Sequence, residues 1–176
     1  MENEQKTEVW LRGPLPNIPT LLQPVAHALL QVQEEINRLD KNFPTELLWK
    51  KPADLASVGF HMQHLAGVLD RLLTYARAES LTEIQLNYLK QEGTEPFPGC
   101  KFSDLLENLN KQFSIAIQQL ENTDPSTLPE IRCVGRAQIP STHLGLLVHA
   151  AEHTTRHFGQ LFVTFKLLIA GFDKIS

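Results

Sequence analysis

The chain has 176 residues, 42% hydrophobic and 20% charged, with a net charge of −4 and an isoelectric point near 6.0. That suffices for one domain with its own core and no need of disulfides, and it offers no basic field to attract a phosphate backbone, so nucleic acid is not an expected partner. The polar start MENEQKTEVW is not a signal peptide, no stretch approaches ~18 uninterrupted apolar residues, and Cys100 and Cys133 read as free thiols of a reducing compartment; the expectation is a cytoplasmic chain without a membrane span.

In chain order, residues 1–16 are expected to be an extended lead-in to a single domain spanning 1–176, with GPLPNIP at 13–19 as a turning segment. A first helix is predicted from about 20 to 41, where Leu22, Val25, Ala26, Leu29, Leu30, Val32, Ile36 and Leu39 recur near helical spacing. Pro24 sits at its start, where proline costs little, and Phe43-Pro44 ends it. After the connector 44–54, a second helix is predicted from about 55 to 78, with Asp54 and Ser57 as alternative caps. At 100° per residue, His61, Val68, Leu72 and Tyr75 fall within about 80° of His64, while Gln63, Asp70 and Arg77 fall on the far side. Histidines sharing an inward face with aliphatic side chains need something to satisfy them.

A short extra helix is predicted over 81–91, then a loop over 92–101 marked by two prolines and two glycines. A third long helix is predicted over 103–121, with Leu105, Leu106, Leu109, Phe113, Ile117 and Leu120 as its apolar stripe. The long connector 122–141 shows no clean alternation, so residues 132–139 read equally as a short strand or an ordered loop. The last helix is predicted from Ser141 or Thr142 to about Ala170, stopped by Gly171. Four long helices, one short insertion and no convincing strand series predict an all-α four-helix bundle with a short extra helix and a long connector before the last helix.

The last helix carries HAAEHTTRHFGQ at 149–160. His149, His153 and His157 stand at i, i+4 and i+8; each step of four rotates about 40° and rises about 6 Å. Two neighbours on that stripe can close on one ion, whereas the outer pair is about 12 Å apart along the axis. A first-row metal needs its ligands at about 2.0–2.1 Å, so a third ligand should come from another helix, and His64 on the inward face of the second helix is the natural one. Three imidazoles leave a coordination position open, as in catalytic sites. They suit zinc, nickel, iron or copper over magnesium or calcium.

FHMQHLAGVLDRLLTYA (60–76) and LLVHAAEHTTRHFGQL (146–161) resemble the DinB-like family of metal-binding four-helix bundles. The resemblance runs from about Trp10 to the end and implies a metal triad of one histidine from the second helix and two from the last: His64, His153 and His157. It favours zinc or nickel as the divalent ion and suggests a homodimer, an assembly that the adjacent pairs Leu21-Leu22 and Leu29-Leu30 also favour, since one face of each can serve the core and the other then needs cover. His61 and His149 fall outside the triad; His149 reads as a half-buried histidine bonded to a nearby carbonyl, with ligation as the alternative. Arg71 and Gln160 fall within about 20° of the ligand direction on their helices and read either as lining the mouth of the site or as packing and ion-pair residues. Some members of the family are transferases using low-molecular-weight thiols such as bacillithiol or mycothiol. The resemblance therefore implies a metal-dependent thiol S-transferase or hydrolase acting on a small molecule; the alternative is a non-catalytic metal-binding or dimeric interaction protein with a structural ion.

Overall fold

The structure is a computed structural model that describes residues 7–171. It is an all-α bundle, as expected: α1 (Gln23–Asn37), α2 (Val58–Ala76), α4 (Phe102–Glu121) and α5 (His143–Ile169) pack around one core, and α3 (Glu83–Gln91) is the short insertion. α2 is buried on nearly every side and packs against both α4 and α5, which makes it the central helix. Among the described residues no helix is long and apolar enough to cross a membrane.

The helix ends follow local chemistry. The Ser57 hydroxyl accepts from the Phe60 N–H and opens α2 at Val58, three residues later than expected. Asp54, the other candidate cap, instead lies beside Ala53 with both residues in left-handed backbone, at φ 60° and 48°. α1 stops at Asn37 rather than near 41; beyond it Leu39 and Phe43 fold back into the core from a turn. Thr82 and Gln85 form a reciprocal capping box on α3, the Asp104 carboxylate accepts from the Lys101 N–H at the start of α4, and the Thr142 hydroxyl accepts from the Gly145 N–H at the start of α5.

Two segments differ from expectation. Residues 9–12 are not extended: Val9–Arg12 forms a 3-10 turn, Val9 is buried, and its N–H donates to Gln31 Oε1 on α1 at 2.9 Å. The expected lead-in over 1–6 lies outside the described residues. The connector before α5 holds an antiparallel hairpin, β1 (Ile131–Val134) and β2 (Ile139–Thr142), in the register Ile131↔Thr142 to Val134↔Ile139. Arg132 Nε ties it to α2 by donating to the Ala76 carbonyl at 2.9 Å. Its strands are four residues long and both isoleucines face solvent, so the period-2 signal of a half-buried strand is missing.

The core is continuous and apolar, with Leu22, Leu29, Leu65, Leu69, Leu73, Leu109, Phe113 and Leu120 essentially inaccessible. Each such side chain stabilises the fold by about 1.5–3 kcal/mol. The bundle therefore has its own basis for folding, independent of any ion among its histidines.

A candidate metal centre between two helices

α2 and α5 bring together the histidines that the sequence singles out. His64, His153 and His157 each offer a ring nitrogen, and these atoms lie within 4.8 Å of one another. His64 Nε2 is 2.9 Å from His153 Nε2; the ring centres of His64 and His157, and of His153 and His157, are both 4.4 Å apart. His61, one turn before His64 on α2, joins the cluster as well: its Nδ1 is 3.3 Å from His157 Nδ1. His61 is buried, so its hydrogen bond to His157 answers the need for a partner that an inward histidine creates.

Glu92, at the end of α3, is the residue that sequence reasoning missed. Its Oε2 lies 2.7 Å from His64 Nδ1, and its Oε1 accepts from Arg71 Nη1 at 2.7 Å. The Glu92 side chain is only 4% exposed. Burial pushes its carboxyl up, but the hydrogen bonds from His64 and Arg71 outweigh that and hold it below the usual carboxylate range. With Nδ1–H committed to a carboxylate, His64 presents the lone pair of Nε2 to the cluster, the arrangement that fixes the tautomer and raises the basicity of a metal-ligating histidine. Arg71 thus does not line the mouth of the site; it is the buried counter-ion of Glu92.

Local sequence explains how Glu92 reaches this place. Gly67, one turn after His64, leaves room for it: a Cβ there would lie 2.5 Å from Glu92 Oε1 and 2.6 Å from Arg71 Nη1. Gln63, expected on the far side of α2, is in fact buried and clamps the following loop, donating to the Thr94 carbonyl at 3.0 Å and accepting from the Gly93 N–H at 2.7 Å. Gly93 takes φ 90° against the Phe60 ring, and that ring stacks on His64 with 5.2 Å between centres and 11° between planes. At Gln63 the far side of α2 therefore faces the loop after α3, whereas Arg77, further along that side, is exposed.

The electrostatics suit cation binding. Burial, reinforced by neighbouring histidines, lowers His61 and His153 to about 4, and burial with the facing His64 lowers His157 too. Neutral imidazole is the form that ligates, so no proton need leave these rings at neutral pH. Three imidazoles gathered this closely, one with its tautomer set by Glu92, fit a first-row divalent ion.

The remaining candidates separate. His149 is exposed, with Nδ1 3.3 Å from Glu152 Oε2, rather than half-buried against a carbonyl. With Glu152 and His153 it forms a second group whose ligand atoms lie within 4.8 Å of one another. Gln160 lines a cleft of about 650 Å³ beside the cluster, together with His61, Arg156, Leu55, Ala56 and Val163. Arg156 Nη2 donates to His153 Nδ1 at 2.8 Å.

No curated protein is similar enough to the chain to count as a match. Among solved structures, the crystal structure of the conserved protein of a locus from Enterococcus faecalis aligns with a TM-score of 0.67 and 18% identity, over 85% of this chain and 97% of that one, which supports the fold. The profile of the DinB superfamily matches residues 28–161, a span that holds His64, His153 and His157, all of α2 and most of α5. The chain belongs to the DinB superfamily.

Proposed function

We propose that this protein binds one divalent transition metal, zinc or nickel, through His64, His153 and His157, and uses it on a small molecule as a thiol S-transferase or hydrolase. The observation that carries the reading is the convergence of three imidazole ligand atoms within 4.8 Å, with His64 held in the ligating tautomer by Glu92. When bound, such an ion acidifies a coordinated thiol or water and presents it as a nucleophile. The chain's own part is to keep His153 and His157 neutral by burial, to fix His64 through Glu92 and Arg71, and to offer the cleft between Leu55 and Val163 as space for a substrate next to His61, whose ring contacts His157. A small thiol added to cobalt(II)-loaded protein should produce a sulfur-to-metal charge-transfer band, and His153→Ala should lose both the metal and the band. A cobalt spectrum indifferent to thiol and azide would contradict the catalytic reading.

A structural ion without turnover is the competing reading. The closing ligand it requires would come from His149 or Glu152, which group with His153 but not with His64 or His157. The assembly we propose is a homodimer. Leu21 is exposed beside the buried Leu22, and Val148, Phe162 and Ile169, fourteen and seven residues apart, are exposed on α5.

A further inference from the structure

We propose that Arg156 is the anion-binding residue of this site, set free when the metal binds, so that the cleft takes molecules with an anionic head and a short apolar body. The inference rests on the metal reading above and follows from where the protons must be.

Without an ion, the hydrogen bonds run in one direction. Arg156 Nη2 donates to His153 Nδ1, so Nδ1 carries no proton. With Nδ1 taken as an acceptor, the His153 N–H is on Nε2, directed at His64 Nε2 2.9 Å away. His64 Nε2 accepts, because the His64 proton is on Nδ1 and given to Glu92. The order Arg156→His153→His64→Glu92 satisfies every member.

An ion held by the two Nε2 atoms is incompatible with that order at one end only. The His64–Glu92 bond is unchanged. An imidazole bound through Nε2 carries its N–H on Nδ1, where His153 would face the guanidinium donor with a donor of its own. That hydrogen bond is lost. Among the described residues, the remaining partner of Arg156 is Glu152, with Nε 3.5 Å from Oε1 and both side chains about half exposed; an exposed pair of this kind contributes little and does not hold the side chain. Arg156 already lines the cleft beside His61 and Gln160. Released, its planar fork of donors suits a carboxylate or similar oxyanion, while Leu55, Ala56 and Val163 supply the apolar part of the lining. Asp54 lines the same cleft and has the opposite preference, so the head-group charge is a real discriminator.

The test uses cobalt(II)-loaded protein and three probes of equal length: hexanoate, hexanamide and hexylamine, each titrated against the cobalt visible bands. Hexanoate is expected to bind at least tenfold tighter than the other two. Arg156→Met should abolish that preference while binding cobalt at least as tightly as the parent, because the guanidinium no longer competes for His153. Arg156→Lys should restore part of it. Metal-free protein, followed by calorimetry, should show no preference for hexanoate. Equal binding of the three probes, a preference for hexylamine, or an unchanged hexanoate affinity in Arg156→Met would overturn this assignment and leave the metal reading standing. Absence of cobalt bands in the parent protein would overturn both.

Discussion

Glu92 Oε2 stands 2.7 Å from His64 Nδ1 while its other oxygen takes a hydrogen bond from the buried Arg71. One carboxylate thus orients a candidate metal ligand and neutralises a cation inside the bundle, two duties with separable consequences. Glu92→Gln keeps the shape and removes the charge. Loss of such an outer partner lowers metal affinity by about 10–100-fold, and a buried arginine left without its counter-ion costs about 3–5 kcal/mol. Calorimetric titration with zinc or nickel and a thermal melt should register both effects; normal affinity in Glu92→Gln would mean that His64 is held by something else.

Gly67→Ala tests the same relationship from the helix side. The atoms that an added Cβ would meet are the ends of the Glu92 and Arg71 side chains and the edge of the Tyr88 ring, not backbone. The pair should give way and α2 should persist. The expected result is weakened metal binding with unchanged far-UV circular dichroism; a variant with parent-like affinity would show that the pair can shift without disturbing His64.

The pH dependence has a definite sign. In the unfolded chain a histidine titrates near 6.5, whereas burial, with neighbouring histidines, lowers His61 and His153 to about 4 in the folded state. Between those values the unfolded state binds more protons, so stability is fully present above about 6.5 and is lost as the pH falls toward 4. Metal affinity falls in the same direction, because protons compete for the ligand atoms. Denaturant melts of metal-free protein at pH 7.5, 6 and 5 should show a progressive loss; a flat profile would mean that these rings are not desolvated.

Metal removal should spare the fold. The inaccessible leucines and phenylalanines of the core are separate from the histidine cluster, and a bundle of this size does not depend on an ion as a small zinc module does. Helical circular dichroism should survive excess chelator, with at most a lower melting temperature. Complete loss of helix in chelator would reverse this prediction.

The proposed homodimer has its own check. Light scattering at tens of micromolar should give twice the chain mass, and Phe162→Glu, on the exposed apolar stripe of α5, should shift it toward the monomer. A parent protein that is monomeric at that concentration would dispose of the dimer.

Much of this organisation is legible in the residues. Helical periodicity gives α2, α4 and α5 to within a few residues, and the i, i+4 spacing of His153 and His157 places two ligand candidates on one stripe. His64 follows from its position on an apolar face. The parts that escape are those set by long-range contact. Glu92 sits in a stretch that reads only as a loop, and its role depends on a glycine twenty-five positions earlier that opens the space it fills. Gln63 falls on the polar side of a helical projection, yet at its position that side is covered by the loop after α3. His149 and His153 share a stripe, but α2 faces only the second of them, and periodicity alone does not say how far along α5 a neighbouring helix reaches. The hairpin over 131–142 is too short and too exposed to leave a pattern.

The central claim is that His64, His153 and His157 together hold one divalent ion. Elemental analysis of protein purified without a histidine tag tests it most directly, run on the parent chain and on His64→Ala, His153→Ala and His157→Ala. The account predicts close to one equivalent of zinc or nickel per parent chain and a large loss in each of the three variants, with His149→Ala retaining its metal. A parent chain without metal after reconstitution, or one whose metal content is indifferent to the three substitutions, would contradict it.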